Sequence, residues 1–587
     1  MSNALENVDE SAESADSTEW LFLARGLEQV QHHYNTHGIS PMGSISTVEL
    51  ERLFPPGLDL NLFRCALLHQ HNTTRPISRL PPEILSHIFN LLEDDIPFNA
   101  PFIEAPRRHL DRIAVTHVCG QWRQVALSSA TLWSDITFRL GRTWATEMLA
   151  RAGDSLLSYY VDPDDPVDHE ATLSQHLSHI RSLAIHGGAQ EIEDIASTCD
   201  APAPALERLQ CARDFFEEDD EITSLPMQMF AGWQAPRLHS LELFNIAPPL
   251  TSLNNLKHIC ITFSPDLDAS SIPTTQPNCH MFFDFLERMS GLECLELSTY
   301  LPSGHLYPSV DRRVKLLNLK DVQLYHRAVD CAAFLRCIEA SSLERMYVEF
   351  LVSDATDEVV AQSMEGLSHH IRTGEGGTSR ARTLRLGSLY EKDHSFEVEV
   401  EVWPEPVENV RDLLAPLAVR PSRVPLVHGV FSGGADVSHE RVQKILTQVV
   451  RTLPLDKMQA LILTCVPLWT SPEEAAGFAS HIPSTIQHLI FQDCVDPHIC
   501  RALVAPVDRP PALPHLRTLT FQFVTIVATV LQGLSFEEEV VPLEVVARRH
   551  RQYNPLEKVY LWDCNDEPEA FNELESHAAV ERINEMM

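Results

Sequence analysis

ISRLPPEILSHIFNLL, residues 77–92, and AVTHVCGQWRQVALSSATLWSDITF, residues 114–138, decide how this chain begins to fold. Pro81 and Pro82 suit the first turn of a helix, where the N–H that proline lacks would have no partner. The apolar residues behind them recur at helical spacing and form one stripe: Ile84, Leu85, Ile88, Phe89 and Leu92. The second segment repeats this pattern. Two short helices cannot bury so much apolar surface against each other, so the pattern predicts a surface that meets a partner.

The order of residues in these segments resembles an F-box. The matching elements are Leu-Pro-x-Glu-Ile-Leu-x-x-Ile-Phe from Leu80, Val-Cys-x-x-Trp-Arg from Val118, and Leu-Trp from Leu132. An F-box is a small helical module that binds the Skp adaptor in cullin–RING ubiquitin ligases. The resemblance covers residues 77–138 only, and a Pro-rich insertion at 93–109 separates its two halves. The alternative is an ordinary helical hairpin that belongs to a larger core.

The resemblance also implies which residues bind the Skp adaptor and, through it, a cullin. The expected surface consists of Leu80, Pro81, Ile84, Leu85, Ile88 and Trp122. Val118, Trp122 and Trp133 are expected to hold the module together, so Trp122 is assigned to both roles.

Composition limits the other function classes. The chain has 587 residues, enough for several domains, and 82 acidic against 45 basic residues give a net charge of −37. This balance argues against a nucleic-acid partner, because phosphates require clustered Lys and Arg. It fits either a solvated surface or basic protein partners. The 13 cysteines form no Cys-x-x-Cys, which argues against structural zinc and for a reducing compartment.

The sequence has no feature of a secreted or membrane protein. Its first residues are acidic and polar, unlike a signal peptide. The longest apolar run, residues 521–534, is too short to span a bilayer. We therefore expect no membrane partner and a location in the cytoplasm, the nucleus or both.

Beyond residue 179 a short pattern recurs: apolar, two residues, apolar, one residue, apolar. Its last two apolar positions share one face of a strand, and helical stretches lie between many copies. One strand and one helix per unit are typical of a leucine-rich-repeat solenoid. The first positions of the twelve copies are Ile180, Leu206, Leu238, Leu256, Leu292, Val314, Leu343, Ala381, Met458, Ile486, Leu516 and Leu556.

The repeats are irregular, and the interval between Ala381 and Met458 is the longest. We expect one or two poorly matching copies inside it, with strands at 396–403 and 425–431. The rival interpretation is an unrelated α/β domain whose strands happen to begin with leucine. The whole arrangement resembles the F-box proteins with degenerate leucine-rich repeats found in mushroom-forming fungi.

The predicted fold class is α+β or α/β: an N-terminal helical F-box module followed by an irregular leucine-rich-repeat-like solenoid. The predicted organisation is a disordered acidic tail (1–16), a helical segment (17–75), the F-box domain (76–140), a helix and linker (141–178), the repeat domain (179–570) and a C-terminal tail (571–587).

In each repeat strand, the residues between the apolar positions are expected on the open face of the sheet. Aromatic and polar side chains there, beside acidic groups, would suit a basic, partly apolar segment of a protein substrate. The alternative is that loops cover these rings. The candidate substrate-binding residues are Phe244, Tyr347, Gln492, Gln522, Tyr560 and Trp562.

The sequence shows no catalytic motif. Gly374-Glu-Gly-Gly lacks the Lys-Ser/Thr of a phosphate-binding loop, and Ser432 lacks the glycine that precedes the serine of a nucleophile elbow. We therefore predict no enzyme, no cofactor and no metal. Three hypotheses remain: a substrate receptor of a Skp–cullin–F-box (SCF) ubiquitin ligase, an adaptor-binding scaffold outside a ligase, and a hydrolase or transferase hidden in the C-terminal region.

Overall fold

The structure is a computed structural model. The chain forms two compact units, Met1–Ser158 and Tyr159–Met587. The structure describes residues 72, 75–91, 113–136, 138, 140–161, 169–213, 223–263, 277–303, 312–352, 356–372, 379–390, 396–404, 425–433, 439–465, 469, 471–506, 511–526, 537–566 and 568–583. The predictions for 1–71, for the insertion at 93–109 and for most of the linker before 169 lie outside these ranges.

The first unit contains three α-helices, among the residues described, and two single turns of 3-10 helix at Pro76–Arg79 and Ala130–Trp133. The helices are α1 (Pro82–Asn90), α2 (Gly120–Ser128) and α3 (Arg142–Ala152). Helix α1 begins as predicted, with Pro81 at its N-cap and Pro82 as its first residue. The Cys119 thiol accepts the backbone N–H of Trp122 at the start of α2.

The second unit alternates strands and helices. Its described helices are α4 (His169–His176), α5 (Ala189–Thr198), α6 (Cys279–Glu287), α7 (Ala328–Cys337), α8 (Asp357–Ile371), α9 (His439–Thr452), α10 (Pro472–Ala479), α11 (Pro497–Val504), α12 (Glu537–Gln552) and α13 (Pro568–Glu575). A left-handed turn at Met229–Trp233 and a 3-10 turn at Leu177–His179 complete the set. No helix within the described ranges combines the length with the hydropathy that crossing a bilayer requires.

The strands of both units are numbered along the chain. They are β1 (Asp135–Ile136), β2 (Leu157–Val161), β3 (Ile180–Gly187), β4 (Arg208–Arg213), β5 (Thr223–Ser224), β6 (Ser240–Phe244), β7 (Ile246–Ala247), β8 (His258–Thr262), β9 (Cys294–Ser298), β10 (Val314–Lys315), β11 (Asp321–Arg327), β12 (Ile338–Glu339), β13 (Arg345–Leu351), β14 (Thr383–Tyr390), β15 (Phe396–Trp403), β16 (Val427–Gly433), β17 (Ala460–Cys465), β18 (His488–Gln492), β19 (Thr518–Gln522), β20 (Thr525–Ile526), β21 (Lys558–Trp562), β22 (Asn565–Asp566) and β23 (Val580–Ile583).

One long sheet runs through the second unit. From β3 to β13 it adds parallel strands in chain order, omitting the two-residue strands. From β14 to β23 it again adds parallel strands in chain order. The core lies on one face of this sheet, where the repeated apolar positions, such as Leu241 and Leu243 of β6, are fully buried. A large parallel sheet backed by helices confirms the leucine-rich-repeat-like solenoid.

Eleven of the twelve predicted copies fall on the sheet in the predicted register. The sixth is wrong: Leu317 is half-exposed in the turn before β11, and the buried residues are Leu319, Val322 and Leu324. The same spacing therefore begins five residues later than predicted. Val314 and Leu319 both begin an apolar pattern of the right spacing, and pairing of β11 with β9 selects the one that begins at Leu319.

The interval between the two parallel blocks holds the two predicted extra strands, in an order that the sequence did not predict. β14 lies beside β17, β15 runs antiparallel to β14, and β16 runs antiparallel to β15 and parallel to β13. The sheet is therefore continuous, in the order β13–β16–β15–β14–β17. Val398, Val400 and Val402 of β15 join the core, and Glu399 and Glu401 lie on the opposite face.

A left-handed residue follows five of the strands. Its N–H donates to a carbonyl oxygen of the neighbouring strand at 2.8–3.0 Å, which prolongs the sheet by one bond. Positive φ favours Asn, Asp and Gly, yet one of the five is a phenylalanine. The residues are Asn245, Thr299, Asp493, Phe523 and Asp563, with φ between 43° and 68°.

The sheet also extends beyond the predicted end of the repeat domain at residue 570. β23 pairs with β21, so residues 580–583 belong to the sheet and are not a tail. Apolar and polar residues do not alternate regularly in its sequence, Val-Glu-Arg-Ile. A strand at the edge of a sheet is less buried than a central strand and can therefore contain more polar residues.

Candidate functional site

Two surfaces carry candidate functions, and each lies within one unit. The first is the exposed face of α1. Ile84, Ile88 and Leu91 lie at positions i, i+4 and i+7, which places them on one side of the helix. They are 46%, 36% and 51% exposed. Pro81 is also exposed, and Leu80 is half-buried. This apolar stripe has no neighbour among the described residues that removes it from solvent.

The opposite face of α1 holds the unit together. Leu85 and Phe89 are buried, and the ring of Phe89 lies 5.0 Å from that of Trp122 on α2. Ser86 and Ser129 share a hydrogen bond of 2.6 Å, and Asn90 donates to Thr131 at 3.0 Å. The exposed stripe is thus carried by a helix that is fixed from behind.

The structure corrects the predicted roles of two residues here. Leu85 was predicted on the adaptor surface, but it is fully buried because it lies one position, about 100°, around the helix from Ile84. Val118 was predicted in the interior, but it is 56% exposed in the turn before α2. Trp133 is buried as predicted, and its indole N–H donates to the carbonyl oxygen of Ala126 at 2.8 Å. Leu91 was missed, although its spacing from Ile84 was readable in the sequence.

The second surface is the sheet face opposite the core. Its residues form continuous rows across the strands because the register is preserved from β3 to β23. One row runs through Gln210, Glu242, Cys260, Glu296, Gln323, Tyr347, His428, Glu401, Arg385, Ile462, Ile490, Thr520 and Tyr560. The next row, two residues along each strand, includes Phe244, Glu349, Glu399, Gln492, Gln522 and Trp562. All six predicted substrate residues lie on this face.

Their exposure differs from the prediction. Phe244, Tyr347, Gln492 and Tyr560 are partly exposed, but Gln522 and Trp562 are 5% exposed. Trp562 packs with Ile462, Ile490, Tyr560 and Ile583 into an apolar cluster on this face. The sequence pattern predicted that Gln522 and Trp562 would be exposed contact residues. The structure shows that both are buried on this face.

The middle of this face is a polar network. Tyr347 donates its hydroxyl to Glu349 at 3.2 Å, and its ring meets that of His428 edge-on at 5.0 Å. Arg385 donates to Glu401 at 3.1 Å and to Thr464 at 3.2 Å. Side chains fixed in this way present a preorganised surface, which lowers the entropy cost of binding.

Several carboxylates lie on the first half of this face, among them Glu242, Glu296 and Asp321. Burial, and then the charge of Glu296, raise the pKa of Glu242 to about 8, while Arg208 acts in the opposite direction. Burial also raises the pKa of Glu296 and of Asp321. Gln210 donates to Glu242 at 3.3 Å. Within the described part of the chain, no three His, Cys, Asp or Glu side chains converge as a metal site would require.

Residues 77–139 match the family model of the F-box-like domain. The chain carries an F-box-like domain. The matched segment includes α1, α2 and the exposed apolar stripe, and its second half ends just beyond Phe138. F-box domains bind Skp-type adaptors, and the expected N-terminal module is thereby confirmed.

No curated protein sequence matches the chain. Among solved structures, the leucine-rich repeat-containing protein LegL7 from Legionella pneumophila is similar at 10% sequence identity, over 66% of this chain and 89% of LegL7, with a TM-score of 0.22. A TM-score this low carries no argument. The solenoid that follows the F-box-like domain rests on the strand register described above.

Proposed function

We propose that this protein is the substrate receptor of an SCF-type ubiquitin ligase. The observation that supports this proposal most strongly is an F-box-like domain whose α1 presents Ile84, Ile88 and Leu91 to solvent. In this proposal the stripe binds the Skp adaptor, which links the chain to a cullin. Burying apolar side chains of this size contributes about 1.5–3 kcal/mol each, so three of them supply a large part of a specific interface.

The sheet face of the solenoid holds the substrate protein in this proposal. The chain then supplies no chemistry of its own. It raises the effective concentration of a substrate lysine near the ubiquitin-transfer machinery by tethering both to one assembly. Such an assembly works in the cytoplasm, the nucleus or both, where free cysteines such as Cys199 and Cys211 stay reduced.

The test is co-purification of the full chain with recombinant Skp adaptor and cullin. We expect a ternary complex with the natural sequence and none with the Ile84→Asp/Ile88→Asp variant. Thr143→Asp is the matched control, since Thr143 is exposed on α3 away from the stripe, and it should assemble normally. Circular dichroism and the unfolding temperature establish that the double variant is folded.

Two results would contradict the proposal in different ways. Adaptor binding without cullin would favour the second function, a scaffold outside a ligase. No adaptor binding by a folded chain would mean that the F-box-like helices serve only as structure.

A further inference from the structure

The sheet face over β13–β17 has an excess of negative charge next to an apolar floor. Glu349 on β13 and Glu399 on β15 flank Val430 of β16, which is 5% exposed between them. Two strand spacings, about 10 Å, separate these glutamates across the sheet. Glu401 lies one row away. Among the described residues, Arg385 forms ion pairs with Glu399 and Glu401, and the His428 ring lies 4.0 Å from Glu401.

The charges in this region are only partly compensated. Arg385 is bound to Glu401 at 3.1 Å and lies 4.0 Å from Glu399. Glu349 accepts hydrogen bonds from the hydroxyls of Tyr347 and Ser432, which leave its charge in place. Three carboxylates thus face one guanidinium, and the charge complement of this surface is a cation.

A second observation concerns polar atoms buried on the same face. Among the described residues, no hydrogen-bond partner is found for the hydroxyl of Thr383, two residues before Arg385 on β14, for the Thr520 hydroxyl or for the Trp562 indole N–H. All three side chains are at least nine-tenths buried. A buried polar atom without a partner costs about 1–3 kcal/mol. A peptide backbone can satisfy such atoms because it carries both donors and acceptors.

We propose that the sheet face from β13 to β21 binds an extended protein segment that carries Lys or Arg residues at one end and apolar residues at the other. The basic end lies over Glu349, Glu399 and Glu401. The apolar end lies over Tyr560, which is partly exposed and packs against the cluster of Ile462, Ile490 and Trp562. This inference rests on the proposed function, since it names the class of substrate that the solenoid receives.

The dimensions of the face set the length of the segment. Seven strand spacings of about 4.8 Å separate β13 from β21, which is roughly 34 Å. An extended chain rises about 3.3 Å per residue, so about ten residues cross the face. The charged and apolar ends are then separated by five or six residues, which distinguishes this segment from a uniformly basic tail.

The test uses the full chain and a fluorescein-labelled synthetic peptide of 12 residues. The peptide carries three Arg near one end, two Leu near the other and a Gly-Ser spacer. Two further peptides replace Arg by Glu or Leu by Ser. Fluorescence anisotropy at low and physiological salt gives the affinities. We expect the Arg/Leu peptide to bind, the Glu peptide not to bind, and added salt to weaken binding.

The decisive variant is Glu349→Gln/Glu399→Gln, which should weaken binding of the Arg/Leu peptide about tenfold. Glu193→Gln/Glu365→Gln is the matched control, because it changes the net charge equally at exposed positions on α5 and α8. Unchanged affinity in the decisive variant, or an equal loss in both variants, would overturn the inference. Because the peptide assay contains no adaptor, its failure leaves the co-purification result intact, and the reverse also holds.

Discussion

The ring of Phe89 lies 5.0 Å from the ring of Trp122, tilted by 53°, and this contact joins α1 to α2. Leu85 and Phe89 of α1 are both buried, whereas the residues just before them, Ile84 and Ile88, are exposed. One helix therefore carries both the core of the F-box-like domain and its apolar stripe. Substitutions on its two sides should have separable effects.

Leu85→Ala should lower the free energy of unfolding of the N-terminal unit by about 2–5 kcal/mol, because it opens a cavity beneath α1. Ile84→Ala should change it by less than about 0.5 kcal/mol and weaken adaptor binding. Urea denaturation and a binding titration of both variants measure the two quantities. The division of roles is wrong if Ile84→Ala destabilises the unit as strongly as Leu85→Ala.

Phe523→Asn should stabilise the solenoid by about 1 kcal/mol. Phe523 has φ of 57°, a conformation that strains a bulky side chain and that Asn adopts readily. The side chain is 47% exposed, so its removal costs little burial, and its N–H still donates to Trp562 at 3.0 Å. Thermal unfolding measures the change. Phe523→Val is the comparison, because a β-branched residue tolerates positive φ poorly and should lower stability.

Arg549→Met should destabilise the C-terminal repeats by about 3 kcal/mol. The guanidinium of Arg549 is fully buried and donates to the carbonyl oxygens of Val504, Leu513 and Asn554 at 2.8–3.1 Å. Burial lowers its pKa to about 10, so it remains charged at neutral pH. Its loss removes three hydrogen bonds, two of which go to the buried residues Val504 and Leu513. Arg551→Met, at an exposed position on the same helix, is the control, and equal stability of the two variants would contradict the assignment.

Glu242→Gln should flatten the pH dependence of stability. Burial, and then Glu296, raise the pKa of Glu242 from 4.5 to about 8. The folded chain therefore holds this proton more tightly than the unfolded chain, and the free energy of unfolding falls as the pH rises from about 4.5 to about 8. The glutamine cannot ionise, so the variant should gain about 1–3 kcal/mol at pH 8.5 and little at pH 4.5. Urea denaturation at both pH values decides this, with Glu193→Gln as the exposed control.

The repeats were predictable because each copy uses the same local rule. Leu241 and Leu243, or Leu489 and Phe491, are two apart on a strand, and period two places both on the core side. The rule fails at the sixth copy, because the pattern can begin at Val314 or at Leu319 and only pairing of β11 with β9 distinguishes the two. The order β16–β15–β14 could not be predicted from the sequence either. The pairing of these strands depends on contacts between residues far apart in the chain.

For the candidate surfaces, the sequence predicted on which face of a strand or helix each residue lies. It did not predict which of these residues are exposed. The alternation of side chains along a strand placed Trp562 and Gln522 on the correct face. Their burial depends on the side chains of the adjacent strands, which the pairing register determines. The same limit applies to Leu85, since a stripe of five apolar residues on one helix does not reveal which of them faces α2.

The position of β16 has a consequence for synthesis of the chain on the ribosome. From β3 to β13 each new strand can join the edge left by the one before it. β14 cannot, because β15 and β16 lie between it and β13. Elongation of the sheet during translation therefore stops at β13 and resumes only when residue 433 has emerged. Throughout that interval the edge of β13 is unpaired, and an unpaired edge invites other chains. Nascent chains that end between residues 352 and 433 therefore expose this edge of β13.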